Sequence, residues 1–249
     1  MKKRLIPDWT EIQRFRQPLT EGEIALVRQL DEHLPASWEI YVQPYLNGDR
    51  PDIVVLHPNV GLCVIEVKDW ASGLYLPRTE YELINGERKP VRRYEVKTKT
   101  GTQRVANPLK QAERYAKNLI SLYAPELGEA VGRNKKVYGL YRAAVYMHKM
   151  TTHEAVSLLQ PKENGVRVVG YDFLDDGGLA SLVPDVSRTK SWLVTEGWAD
   201  TVRMHLRPSF HAIEQGLPLR LTAEQKRHAA PVAGYHQRLR GVAEAGRRW

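Results

Sequence analysis

The apolar positions of this chain change spacing several times, and each change marks an element. Over residues 21–34, Ile24, Val27, Leu30 and Leu34 recur every three or four positions, the signature of one buried helix face. Thr20, with Glu23 three residues on, forms a capping box at the start of that helix. Trp38, Ile40 and Val42 then alternate with Glu39, Tyr41 and Gln43, which predicts a half-buried strand leading into an Asn47-Gly48 turn. Next come two apolar runs, Ile53-Val54-Val55-Leu56 and Leu62-Cys63-Val64-Ile65, joined by His57-Pro58-Asn59-Val60-Gly61. Proline, asparagine and glycine are turn formers, so the two runs read as an antiparallel hairpin.

Residues 71–105 are polar and basic around an Asn85-Gly86 turn signal, which predicts a second hairpin. Asn107 caps a further helix that carries Pro108 in its first turn. Apolar stretches at 137–147 and 166–173 supply later strands, and helical spacing returns at 191–206, where Trp192, Leu193, Trp198, Val202 and Leu206 are expected to pack on the sheet. Neither an internal repeat nor a low-complexity segment interrupts the pattern.

The first hairpin carries charges that a buried strand does not need. A turn centred on Asn59 sets Asp52 opposite Glu66, and directly opposed residues have Cβ atoms about 4.5–5.5 Å apart. Like charges placed there repel unless a cation lies between them. Because side chains alternate along a strand, Lys68 falls on the face of Glu66, one step nearer the same end. Two carboxylates and an ammonium thus converge at one sheet edge, a set suited to phosphodiester hydrolysis. Magnesium takes oxygen ligands and keeps several waters, so Asp52 and Glu66 can hold it and leave room for a phosphate oxygen and a water. Lys68 would orient or deprotonate that water, or offset charge on the phosphorane. The plain alternative is the solvated end of a strand beside a turn aspartate.

Charge and composition narrow the picture only a little. The 249 residues suffice for one full core plus an extension, and 37 Lys and Arg against 29 Asp and Glu leave a net charge of +8, which suits a polyanionic partner. No apolar stretch approaches the roughly 18 residues of a membrane helix, and Met1-Lys2-Lys3-Arg4 leads into Ile6-Pro7-Asp8, not into a secretory core. No membrane association and a cytoplasmic location are expected. Cys63, the one cysteine, sits within an apolar run and reads as a core residue. The histidines, His148 and His153 among them, lack the mutual spacing of zinc ligands.

Pro51-Asp52, thirteen intervening residues and then Glu66-Val67-Lys68 resemble the PD-(D/E)XK nuclease signature. With Glu21-Gly22-Glu23 upstream and Asn107-Pro108-Leu109-Lys110-Gln111 downstream, the resemblance narrows to the nuclease-related domain called NERD. It covers residues 15–150 well and the chain to about 210 more loosely. It implies a restriction-endonuclease-like α/β fold, a mixed β-sheet flanked by helices, together with dependence on magnesium, for which manganese can substitute, and action on DNA. Under it Glu23 becomes a further metal carboxylate, although its capping role stands in its own right. Gln111 and Tyr115, one helical turn apart, resemble the motif with which RecB-type nucleases position nucleic acid near the metal. Arg88, Arg92, Arg93 and Lys97, interleaved with Tyr75, Tyr81 and Tyr94, are candidate nucleic-acid contacts. An ordinary solvated hairpin remains the alternative there, since Glu80, Glu82, Glu87 and Glu95 dilute the patch.

Beyond about residue 210 the text changes. Leu217-Pro218-Leu219-Arg220-Leu221-Thr222-Ala223-Glu224-Gln225 resembles the adenine-reading Q motif of superfamily 1 (UvrD-like) helicases, and residues 235–243 resemble the strand that feeds their Walker A loop. In place of Gly-Ser-Gly-Lys-Thr-Leu stands Glu244-Ala245-Gly246-Arg247-Arg248-Trp249, and codons exist for which one restored base converts the second reading into the first. The expectation is a nuclease domain over 1–210 and a truncated or frameshifted helicase segment over 211–249, without ATPase activity because the phosphate-cradling loop is missing. Magnesium-dependent cleavage of DNA leads the functional readings. A non-catalytic DNA-binding module that positions a helicase in repair or defence is the alternative, and an inert remnant is a third.

Overall fold

The computed structural model describes residues 4–44, 46, 49–123, 141–162, 165–175, 178–183 and 196–206. The chain opens with β1 (Leu5–Ile6) and a single helical turn, α1 (Trp9–Ile12), both too short for apolar spacing to announce. In α2 (Glu21–His33) the capping box forms as expected: Glu23 N–H donates to Thr20 Oγ1 at 3.3 Å, and Thr20 N–H donates to Glu23 Oε2 at 2.6 Å. Val27 and Leu30 of this helix are buried, as is Leu34 just past it; Leu26 joins them, whereas Ile24 is only partly covered.

β2 (Glu39–Val42) precedes the central hairpin of β3 (Ile53–His57) and β4 (Gly61–Ala71). The register runs from Ile53 opposite Ile65 to His57 opposite Gly61, as a turn centred on Asn59 requires. A second, separate sheet follows: β5 (Tyr75–Ile84), β6 (Glu87–Thr98) and β7 (Gly101–Val105). Asn85 and Gly86 take φ of 53° and 82°, the pair of positive values that a primed hairpin turn demands. The third strand had no turn signal comparable to Asn-Gly. α3 (Pro108–Tyr123) starts where Asn107 Oδ1 accepts the Leu109 N–H at 3.0 Å.

The chain completes the larger sheet with β8 (Tyr141–Lys149), α4 (Thr152–Leu159) and β9 (Arg167–Gly170), then adds α5 (Asp172–Asp175), α6 (Leu179–Leu182) and α7 (Glu196–His205). The expected strand at 166–173 stops at Gly170 because the turn before α4 crosses it there. A Cβ on Gly170 would lie 2.3 Å from the Met150 carbonyl oxygen.

The larger sheet has the order β1-β2-β3-β4-β8-β9, antiparallel from β2 to β4 and parallel from β4 to β9. On one face α2 packs Leu26 and Leu30 against Cys63, Ile65 and Tyr146. On the other, Leu119 of α3 and Val202 of α7 cover Val54 and Val64. The mixed sheet flanked by helices is therefore present. β2 departs from its half-buried expectation, since both of its faces are buried. α7 explains this: Arg203 clasps Glu39 through Nε at 3.1 and 3.0 Å and through a terminal nitrogen at 2.8 Å, and Tyr41 OH donates to Glu39 Oε2 at 2.8 Å. Cys63 is fully buried, and burial pushes its thiol up to about 12.

No helix among the described residues is long and apolar enough to cross a membrane. The Asn47-Gly48 turn, residues 137–140, Trp192, Leu193, the side chain of Trp198 and the helicase-like segment 211–249 lie outside the described residues.

Candidate functional site

Asp52 stands one residue before β3, and the register carries it opposite Glu66. Its Oδ2 accepts the Val67 N–H at 2.7 Å, so the carboxyl is fastened against β4. Glu66 and Lys68 alternate in step with Leu62 and Val64, which face α3, and so they rise from the α3 side of the sheet. Lys68 Nζ donates to Glu66 Oε1 at 2.5 Å. Glu66 is 1 % exposed, and its Oε2 has no hydrogen-bond donor among the described residues.

Burial and mutual repulsion set the electrostatics. Asp52 is held well above the ordinary carboxylate range by burial first and by the charge of Glu66 second, with Glu23 adding to it. Burial also raises Glu66, against the opposing pull of the Lys68 ammonium. For Lys68, burial works downward, but the charges of Glu66 and Asp52 outweigh it and lift the group above the usual lysine value. Lys68 is therefore an ammonium, a donor and not a proton acceptor, while it stays in this company.

Glu23 reaches the same end of the sheet from α2. While Oε2 caps the helix, Oε1 accepts from Gln43 Nε2 at 2.8 Å. Gln43 sits just past β2 in the left-handed region, φ 44°, and its own N–H donates to the Asp52 carbonyl at 2.7 Å. One glutamine thus ties the Asp52 backbone to the Glu23 carboxylate, and the bonds that Glu23 makes are those of its capping role and of Gln43. Sequence reasoning missed Gln43. A left-handed non-glycine residue bonded to a partner twenty positions away has no local signature.

On α3, Gln111 Nε2 donates to Tyr115 OH at 3.1 Å, and Gln111 Oε1 is buried without a partner among the described residues. Tyr115 is buried close enough to Lys68 to act on its charge. Arg114 was also missed. Its guanidinium lies 5.0 Å from the Tyr115 ring centroid and 3.4 Å from Asp49, and its charge draws Glu66 downward. Its place one turn after Gln111 was the available signal.

The basic hairpin is more divided than its composition implied. Arg92 donates to Gln160 Oε1 at 2.6 Å and to the Leu158 carbonyl at 3.1 Å, which docks β6 on the end of α4. Arg93 pairs with Glu80 and Glu82. Arg88 lies 5.8 Å from the Tyr81 ring centroid, and Lys97 is exposed. Of these four, Arg92 and Arg93 have structural partners.

The donor set fits a hard divalent cation on one observation: a buried carboxylate oxygen with no hydrogen-bond donor, next to an opposed carboxylate that its charge disturbs. Among the described residues no group of three His, Cys, Asp or Glu side chains forms a ready cage, but magnesium is commonly held by one or two carboxylates and water.

Neither a curated protein nor a solved structure matches this chain. Residues 19–144, just over half of the chain, match the nuclease-related domain NERD, and that span holds the Glu23 cap, the hairpin of Asp52, Glu66 and Lys68, and the Gln111–Tyr115 pair. The chain belongs to the NERD family, whose membership carries a nuclease-related function.

Proposed function

We propose that this chain cleaves DNA phosphodiester bonds with magnesium, for which manganese can substitute, in the manner of the PD-(D/E)XK nucleases. The observation that carries the reading is the bare Oε2 of buried Glu66, within the repulsive field of Asp52 and Glu23. Asp52 and Glu66 would hold the ion, with Glu23 as a further carboxylate. When bound, the ion polarises a phosphate oxygen and acidifies a water. Lys68, kept as an ammonium by its neighbours, offsets charge that develops on the phosphate; this favours the electrostatic role over proton abstraction. Gln111 and Tyr115 line the α3 wall and place the strand, and Arg114 offers a cation at the rim.

The unit responsible would be residues 1–210, with 211–249 corresponding to the start of a helicase and a helicase as the associated partner. No ATP hydrolysis is expected of that segment, which lacks the phosphate-cradling loop.

The test is cleavage of linear and circular DNA with magnesium, manganese or chelator, beside DNA binding on the same samples. Glu66→Ala and Asp52→Asn should each abolish cleavage and leave binding within about twofold, because binding draws on distant cations. Unchanged cleavage in Glu66→Ala would refute the site. Absence of cleavage in the wild type with every metal, with binding intact, would return the chain to a DNA-binding module.

A further inference from the structure

The register of the smaller sheet sorts its side chains by face, and the sorting is uneven. Tyr75, Pro77, Thr79, Tyr81 and Leu83 of β5 share one face with Tyr94, Arg92, Pro90 and Arg88 of β6. Glu80, Glu82, Glu87 and Glu95, the carboxylates of this sheet, all lie on the other. There they are consumed by the cations of the same face: Arg78 by Glu95 at 3.3 Å, Lys89 by Glu87 at 3.0 Å, and Arg93 and Arg104 by Glu80. One face is electrically closed except for Lys97, whereas the other is aromatic and cationic with no carboxylate of its own.

The base of the second face is already used. Tyr75 stacks on Trp70 at 4.1 Å, buried Tyr94 donates through its hydroxyl to the Leu159 carbonyl at 3.2 Å, and Arg92 grips the end of α4. Beyond α4 the sheet continues uncovered. Tyr81 is 63 % and Leu83 75 % exposed, with Pro90 and Arg88 opposite them and the Arg88 guanidinium over the Tyr81 ring. Exposed aromatic and aliphatic area of this kind, concentrated on one end of one face, is uncommon on a surface with no partner.

We propose that this outer end, Tyr81, Leu83, Pro90 and Arg88, docks a single-stranded nucleic acid, with a base on the Tyr81 ring and a phosphate at Arg88. The occupant follows from charge. A second copy of the same face would set arginine against arginine, while a polyanion meets cations only. The strand must be unpaired, because a ring offers its face to bases and duplex bases are stacked on one another. A duplex would instead need an array of free cations, whereas Arg78, Lys89, Arg93 and Arg104 of this sheet are paired on the opposite face. The inference deepens the nuclease reading, on which it rests for the kind of ligand, by naming the form of substrate brought to the Asp52–Glu66 end.

Binding is measured on the full chain in chelator, so that no cleavage is required, by fluorescence anisotropy with a labelled oligothymidylate and with a blunt duplex of equal length. The oligothymidylate should bind more tightly than the duplex. Tyr81→Ala should weaken it about tenfold and Tyr81→Phe should restore it, as a stacking ring predicts. Arg88→Ala should weaken it and lower the salt slope by about one. Arg78→Ala, on the closed face, should leave it unchanged. All four residues are exposed, so melting temperatures should match the wild type and a binding loss cannot be ascribed to unfolding. Wild-type affinity in both Tyr81→Ala and Leu83→Ala overturns the proposal, as does a concentration-dependent dimer that Leu83→Ala dissolves. A wild-type chain that fails to bind the oligothymidylate yet cleaves duplex with magnesium would remove this surface and spare the nuclease reading; single-strand binding that depends on Tyr81, with no cleavage under any metal, would do the reverse.

Discussion

At the scale of the residue, Asp52 is under electrostatic tension. Its carboxyl is buried, opposed by Glu66 and raised well above the ordinary range. Between the unperturbed carboxylate value of about 4 and that raised value, the folded chain keeps a proton that the unfolded chain has released. Stability of the metal-free protein therefore falls as pH rises through this window. Asp52→Asn keeps an oxygen for the Val67 N–H and removes the charge. It should melt higher than the wild type at neutral pH, by roughly 2–4 °C for each ~1 kcal/mol relieved, and the two should converge as pH falls toward about 4. A variant that melts lower at neutral pH in chelator would show that Asp52 is stabilising and contradict this account. Lys68→Ala works in the opposite sense, since it strips the only hydrogen-bond donor that Glu66 has among the described residues. It should lower the melting temperature at neutral pH and do so less in acid, where Glu66 is protonated.

At the scale of the element, α2 couples helix capping to the site, and two substitutions separate those duties. Glu23→Gln preserves a box that accepts either residue but removes the charge, so melting should barely move while magnesium affinity falls several-fold. Thr20→Ala keeps the charge and loses the cap, at a cost of about 1 kcal/mol in stability. Equal magnesium affinity in Glu23→Gln and wild type would leave Glu23 a cap and nothing more. Gly22 sets how closely this helix approaches the sheet: a Cβ there would lie 2.2 Å from Asp69 Oδ1 and 2.7 Å from His148 Cβ. Asp69 also accepts the Gly22 N–H at 3.0 Å. Elements with a local cause were legible in sequence: the Thr20–Glu23 cap, the Asn85-Gly86 turn, the Asn107 start of α3 and the register around Asn59. What escaped depends on packing between distant segments. β2 is buried on both faces only because α7 brings Arg203 to Glu39, and Gln43 has a role only because α2 and β3 meet beside it. Within the hairpin, charge counts were legible but their division by face was not, because that needs the register of β5 on β6.

At the scale of the whole molecule, a bound cation should reverse the pH dependence of stability, because it requires the ionised carboxylates that the metal-free fold disfavours. A ligand bound only by the folded state stabilises by RT ln(1 + [L]/Kd), about 2.7 kcal/mol at a hundredfold excess over Kd. For a domain of this size that amounts to roughly 5–10 °C. The expected outcome is a pair of melting curves that separate as pH rises. In chelator the melting temperature falls from mild acid to neutral pH as Asp52 and Glu66 ionise in place, while in magnesium it holds or rises over the same interval. The two meet at low pH, where protons displace the ion, and they do so at a higher pH than unperturbed carboxylates near ~4 would give. Glu66→Gln supplies the control, since it removes one ligand charge and should collapse the two curves onto one. Weak surface binding of magnesium would shift the wild type and Glu66→Gln alike, so equal shifts in both would refute a metal centre on this hairpin, whatever cleavage assays report.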